Sequence, residues 1–407
     1  MRLSTNTIYA MGSQAILRQQ SQVADIGQQL ASGRRIVTPA DDPRAAAQAL
    51  NVSQAIQVNE QFADSREIAR RNLSAEDNEL DSVINALTAA KPRLVQAGNG
   101  TLSDADRESL ATQLDGIHAQ LLGNANARDG NGRSIFSGYK SDAAAFIFDE
   151  TSGQSTYSGD AGRRELRVDS ARTMAINDTG DAVFASVTSG ASYVARASEG
   201  NNGSAVFQNI SVRDSAADDY GDSFAVSFAN NGGTLTYSVR NTTTNTDVVS
   251  DAAFKPGQTL DIGASMSLRI GGTPDDGDSF TLGKGRPEDN NILDTIAGLA
   301  AQLRQPSDSP AAGAALANTL NSAQRQLDNS LDNVLSVRAS LGSRLNELDT
   351  LDDVGANRDV NYKSSLSNLQ DVDPVKAISD YSLAQVALQF SQKTFADIQQ
   401  MSLFSLV

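Results

Sequence analysis

The sequence predicts an α+β chain whose N- and C-terminal helices form a coiled-coil or helical-bundle rod, with a β-rich domain inserted in the middle. Glycine, which weakens helices, divides the chain: residues 1–97 hold three, residues 311–407 hold three, and residues 98–310 hold twenty-five. Fourteen of the twenty-one aromatic residues lie between Phe136 and Phe280, where β-branched residues and Asn/Gly turns also gather, as strands require. Leucine recurs every seven residues in both helical ends, the mark of a packed helix seam.

The first helix presents Ile16, Val23, Ile26 and Leu30 at helical spacing. It is followed by Leu30-Ala-Ser-Gly33-Arg-Arg-Ile-Val-Thr-Pro39-Ala-Asp41-Asp42-Pro43, a shaped joint between helices. Gly33 can end one helix in the left-handed conformation, and Asp42 with Pro43 can cap and begin the next. A second helix from Pro43 to about Ala97 would extend roughly 80 Å at about 1.5 Å per residue, so it needs lateral support. Within it Leu73, Leu80, Leu87 and Leu94 keep a heptad, with Val83, Ala90 and Ala97 at the offset of three. Pro92 predicts a kink or a helix end nearby, because it removes a donor and crowds the preceding turn. Ser103 and Asp106 form a capping-box start for a third helix carrying Leu110, Leu114, Ile117 and Leu121, which should pack beside the long pair.

In the middle, Phe224–Phe228 alternates, Asn230-Asn231-Gly232-Gly233 tolerates positive φ, and Thr234–Val239 returns, which specifies a hairpin. Residues 140–290 carry 21 Asp plus Glu against 12 Lys plus Arg, placing −9 of the total −16 there, as suits a solvent-facing domain. Beyond it Leu320, Leu327, Val334, Leu341 and Leu348 keep a second heptad, with Leu316, Ala323, Leu331 and Leu345 between. The two seams are expected to pack against each other within one chain. Asp373-Pro374 starts a last helix bearing Tyr381, Ala384, Leu388, Phe395 and Ile398.

Neither terminal stripe could offset the entropy of ordering its helix alone, so burial must come from the other helix or from neighbouring subunits. The expected assembly interface is therefore Ile8, Ile16, Val23, Ile26, Leu30, Tyr381, Leu388, Phe395, Ile398 and Leu403, with Gly33, Pro39, Asp41, Asp42 and Pro43 as the inter-helix joint. Three parts are expected: 1–42 with 360–407 as a terminal helical assembly domain, 43–174 with 289–359 as a helical rod with some β-structure, and 175–288 as a β-rich outer domain.

Composition excludes several classes. With no cysteine, disulfides, thiolate metal sites and cysteine nucleophiles are absent. A formal charge of −16 opposes nucleic acid and anionic membranes. The N-terminus lacks the basic, apolar and small-residue regions of a cleaved signal peptide, and no stretch is apolar for long enough to cross a bilayer. His118 is the sole histidine, so no histidine-based triad or multi-histidine metal site can form. Asp275, Asp276 and Asp278 lack the spacing and distal Glu of a calcium loop and read as a polar turn. Asp218, Asp219 and Asp222 read as a hydrated strand edge. Without a phosphate loop, a dinucleotide fingerprint or a nucleophile elbow, no catalytic residue, cofactor or metal is expected, and the chain is not expected to be an enzyme.

The joint closely resembles the loop after the first helix in flagellins and hook-associated proteins, its Pro-Ala-Asp-Asp-Pro form being more similar to hook-associated protein 3 than to flagellin. Ile135-Phe-Ser-Gly-Tyr139-Lys, Tyr157-Ser-Gly-Asp160, Gly271–Phe280, Val337–Asn346 and the ending Met401-Ser-Leu-Phe-Ser-Leu406 resemble segments of that family in order. From about Thr188 to Lys255 no such wording occurs. The resemblance implies an elongated flagellin-like fold and a structural subunit at the hook–filament junction. It further implies a ring of identical subunits, contacts with hook-associated protein 1 and flagellin, an export chaperone beforehand, and an extracellular place reached through the flagellar type III apparatus without a cleaved signal. Flagellin itself, or a secreted adhesin or enzyme active through its middle domain, are the alternatives.

Overall fold

A computed structural model describes residues 5–284 and 290–404. It has helical N- and C-terminal regions around a β-rich middle, and it divides into two compact units, residues 1–64 with 350–407 and residues 65–349.

In the first unit, helix α1 (Thr5–Ser32) packs against the last helix, α6 (Pro374–Phe404). Helix α2 (Pro43–Ala97) begins here and helix α5 (Pro310–Gln370) ends here. Buried Asn59 of α2 donates its side-chain amide to the Gly355 carbonyl of α5 at 2.9 Å.

In the second unit, α2 and α5 form the expected seam. Leu73, Leu80, Leu87, Val83 and Ala90 on α2, and Leu327, Val334, Leu341 and Leu348 on α5, are fully buried. Ion pairs flank the apolar stripe: Arg70 with Asp349 at 2.7 Å, Arg338 with Asp77 at 2.9 Å and Asp81 at 2.7 Å, and Lys91 with Asp328 at 2.7 Å. Their reversed order makes the helices antiparallel. Each pair is partly exposed and contributes ~0–1 kcal/mol, whereas each buried leucine contributes roughly 1.5–3 kcal/mol. The leucines hold the seam and the charges set its register. The helix does not end at Pro92 but continues to Ala97. One backbone hydrogen bond, to the Thr88 carbonyl, is lost there because proline has no N–H, and the Arg93 side chain donates to the Ala89 carbonyl at 3.1 Å.

Helix α3 (Asp104–Ala125) starts at the Ser103/Asp106 capping box and packs on α4 (Ile292–Leu303), a short helix that the leucine pattern does not single out. Two hairpins follow α3: β1 (Phe146–Asp149) with β2 (Gln154–Tyr157), and β3 (Glu165–Asp169) with β4 (Arg172–Ala175). Phe184, in a short π-helical turn, meets Phe136 and Phe146 edge-on at 5.5 and 5.6 Å. His118 packs tilted against the Phe148 ring, centroids 4.5 Å apart, and burial pushes its pKa down.

The remaining strands form two antiparallel sheets around one core. One is ordered β10 (Thr259–Ile262), β11 (Met266–Gly271), β6 (Val206–Val212). The other is ordered β5 (Val194–Ala197), β12 (Ser279–Gly283), β7 (Phe224–Asn231), β8 (Thr234–Asn241), β9 (Thr246–Ala253). Phe207, Phe224, Phe228, Phe280, Met266 and Leu268 fill the space between them. The β7–β8 hairpin has Asn231 opposite Thr234. Gly232 and Gly233 sit between them at φ 63° and 90°, values only glycine adopts readily, and their sign matches the strand twist.

A face of α5 holds this region by main-chain recognition. Asn318 accepts from the Phe207 N–H at 3.0 Å and donates to the Ala205 carbonyl at 2.9 Å. Asn329 accepts from the Ser192 N–H and donates to the Ser192 carbonyl, both at 2.8 Å. Asn321 donates to the Phe207 carbonyl at 2.9 Å, and Asn333 donates to the Ala182 and Val183 carbonyls at 2.8 and 3.0 Å. Asp278, 1% exposed, accepts from the amides of Asn202, Gly203 and Asp275 at 2.8, 3.1 and 2.8 Å, so it anchors a turn. Among the described residues no group of three or more His, Asp or Glu is placed to hold a metal ion.

Candidate assembly interface

Between α1 and α2 the joint is built from local hydrogen bonds. Gly33 has φ 70° with nothing within 4 Å of where a Cβ would sit, so the backbone conformation, not space, calls for glycine. Thr38 accepts from the Asp41 N–H at 3.1 Å across Pro39, which occupies the turn position its fixed φ suits. The Asp41 carboxylate accepts from the Val37 and Thr38 amides at 2.9 and 2.7 Å, while Asp42 caps α2 by accepting from Ala45 N–H at 3.0 Å ahead of Pro43. The Thr38 amide holds the Asp41 pKa below the usual range, and the Ala45 amide, assisted by Arg35, does so for Asp42.

This joint is clasped to the turn between α5 and α6. The Arg35 N–H donates to the Gln370 carbonyl at 2.6 Å, its guanidinium donates to the Leu369 carbonyl at 2.7 Å, and the Val372 N–H donates to the Gly33 carbonyl at 3.1 Å. Arg35 also pairs with Asp42 at 3.3 Å. Across the turn, Asp373 caps α6, accepting from the Val375 and Lys376 amides at 3.0 and 3.2 Å ahead of Pro374.

From these anchors α1 and α6 run antiparallel. Phe395 lies over Gly12, where a Cβ would come within 2.6 Å of its ring, and 5.0 Å from the Tyr9 ring. Farther along, Gln19 reaches the Ala384 carbonyl at 3.4 Å and Gly27 faces Tyr381. Ile16, Val23, Ile26 and Leu30 share the helical face of Gly12 and Gln19, and all four are half-buried, as are Tyr381, Leu388 and Phe395. These seven therefore line the seam between the two helices. The side chains of Ile8, Ile398 and Leu403 lie outside the described residues.

The apolar surface left open belongs to residues the stripe did not include. On α6, Leu383, Val386 and Phe390 follow i, i+3, i+7 on the side turned away from the seam, and Val375 and Ile378 add to it. Phe390 keeps 65% of its surface and Val386 47%. Met11 and Leu17 are exposed on α1. The spacing of Leu383, Val386 and Phe390 is legible in sequence as a second stripe, one that marks a helix with apolar residues on opposite sides.

Two family models match the chain: the bacterial flagellin N-terminal helical region over residues 3–141 and the C-terminal helical region over residues 325–407. The flagellar hook-associated protein 3 of Salmonella typhimurium is 36% identical over 100% of this chain and 99% of its own length. That of Escherichia coli is 34% identical over 100% and 99%. Among solved structures, the flagellar hook associated protein-3 of Legionella pneumophila has a TM-score of 0.69 and 31% identity, covering 78% of this chain and 98% of that one. FlgL of Xanthomonas campestris has a TM-score of 0.66 and 28% identity, covering 78% and 99%.

Proposed function

This chain belongs to the flagellar hook-associated protein 3 family, structural proteins of the flagellar hook–filament junction, and from that premise we propose that its copies assemble into a ring between hook-associated protein 1 and flagellin. The observation that carries the ring is the open apolar face of α6, Leu383, Val386 and Phe390, backed against an α1–α6 seam that uses the other side of the helix. A helix with both sides apolar leaves one for a neighbour, and identical neighbours meeting through unlike faces close into a ring or continue as a helical layer. Ile16, Val23, Ile26, Leu30, Tyr381, Leu388 and Phe395 serve this assembly by fixing the helix pair that presents the face, and Gly33, Pro39, Asp41, Asp42 and Pro43 fix where that pair begins.

Before export, the same open apolar side chains suit a chaperone that covers the terminal helices, and the final location is the extracellular junction. The work of the chain is mechanical, with no catalysed reaction. We divide the labour as a terminal assembly part (1–42 with 360–407), a helical part (43–174 with 289–359) and an outer β-rich part (175–288) that is dispensable for joining. Electron microscopy of a strain lacking the gene tests this. Hooks without filaments and flagellin released into the medium are expected, with joining restored both by the full chain and by a chain lacking 175–288. Filaments that attach normally in the null strain would refute the junction role, and failure of the shortened chain alone would refute the division.

A further inference from the structure

Glu76, on α2, is fully buried, yet among the described residues no cation pairs with it directly. Both of its oxygens face one donor, the main-chain N–H of Asp178, at 3.1 and 3.3 Å. The second carboxylate, Asp178, is 5% exposed and takes the cations: the Arg344 guanidinium from α5 donates to its Oδ2, and Arg163 Nε stands 3.6 Å from its Oδ1. Around them the chain between β4 and β5 is tied down at successive residues. Arg344 also donates to the Ala175 carbonyl at 3.1 Å, the Ile176 N–H donates to the Arg164 carbonyl at 2.8 Å, and Asn177 accepts from the Arg164 N–H at 2.6 Å. The Gly180 N–H donates to the Phe136 carbonyl at 2.7 Å.

Two neighbouring carboxyl groups with burial this deep cannot both ionise cheaply. The arginine contacts fall on Asp178 and not on Glu76, so the proton resides on Glu76. We propose that Glu76 and Asp178 form a proton-operated latch: the carboxylic acid of Glu76 hydrogen-bonds to the Asp178 carboxylate and holds the strap from Ala175 to Ala185 against α2 and α5, and loss of that proton to solvent loosens the strap.

Burial pushes Glu76 up to about 8, with the Asp178 charge adding to the rise and Arg344 opposing it. The charged groups facing it are Asp178 and Arg164 from the strap side and Arg344 from α5. Arg164 in turn faces Arg133 and Asp129. On its own helix, Asp77 is engaged by Arg338 and Glu79 is half-buried. For a folded pKa raised above the ordinary 4.5, the stabilisation is fully present below that ordinary value and is lost as pH rises through the folded one. The window therefore runs from about 4.5 to about 8.

Amide hydrogen exchange of the full chain tests the latch, read over residues 176–185 and corrected for the intrinsic pH dependence. Opening of the Asp178 amide should rise by up to about tenfold per pH unit, hence up to about a hundredfold between about pH 5.5 and about pH 7.5. In Glu76→Gln, whose side chain can still accept from the Asp178 N–H and donate to its carboxylate, the rise should vanish, and the variant should melt above the parent at the higher pH. Parallel pH profiles for parent and variant would overturn the proposal. If the variant does not fold, pH-independent opening of Asp178 in the parent would overturn it equally.

Discussion

Replacing Phe390 with alanine separates the two sides of α6. Complete burial of a phenylalanine side chain contributes roughly 1.5–3 kcal/mol. Because 65% of Phe390 is exposed in the free chain, about two-thirds of that, roughly 1–2 kcal/mol, is available only to a covering partner. Phe390→Ala should therefore cost the isolated chain less than about 1 kcal/mol and weaken each subunit contact by about 5- to 30-fold. Phe395, over Gly12 and beside Tyr9, behaves oppositely: Phe395→Ala should cost roughly 2–3 kcal/mol within the chain, at or just below the lower end of the range for phenylalanine truncation because the ring is only half-buried. Far-UV circular dichroism melting of each variant measures the first quantity, and counting attached filaments in a complemented null strain measures the second. If Phe390→Ala lowered the melting transition as much as Phe395→Ala, the assignment of faces would be wrong. If a triple alanine variant at Leu383, Val386 and Phe390 still attached filaments normally, the outward face would not be an assembly surface.

Two further changes probe the anchors. Asp42→Ala removes the cap on Ala45 N–H and the partner of Arg35, so it should loosen the first turn of α2 and speed amide exchange at Ala45. Since both Asp41 and Asp42 have depressed pKa values, their contribution is present above the ordinary carboxylate value of 3.8 and is lost as pH falls through the folded values. The clasp at Arg35 should open in acid, and Asp42→Ala should remove part of that dependence, which exchange at the Arg35 amide would follow. Asn329→Ala leaves the Ser192 N–H and carbonyl without their partner, a loss of roughly 2–3 kcal/mol. Chemical denaturation would measure it, and an unchanged midpoint would show that this amide contributes nothing to the docking.

What could be read in advance was what depends on neighbours in sequence. Gly33 with Asp42-Pro43, the Ser103/Asp106 box and the Gly232-Gly233 turn are each decided within a few residues, and the structure places them as their chemistry requires. The two leucine heptads succeed for a related reason, because a repeat of seven has few homes other than a helix seam. The terminal stripes were harder. Periodicity identifies an apolar face but not which neighbour covers it, and α6 carries two such faces, so Tyr381, Leu388 and Phe395 line the helix pair while Leu383, Val386 and Phe390 stay open. Pro92 signals a break, but a helix already fastened by buried Leu87 and Leu94 on either side carries the lost bond through. Glu76 and the α5 asparagines escaped entirely. Polar residues on a long helix resemble its wet side until the folded chain lays main-chain amides and carbonyls against them.

The asparagines of α5 grip carbonyls and amides, groups that every residue type possesses. Docking therefore does not depend on which side chains the gripped segments Ala182–Val183, Ser192 and Ala205–Phe207 carry at their outward positions. A lineage can rewrite the outer face of this module, its charges and its loops, without renegotiating the attachment to the helix. Foreign loops engineered between β7 and β8 enter at the end of the sheet opposite Ser192 and leave that grip untouched.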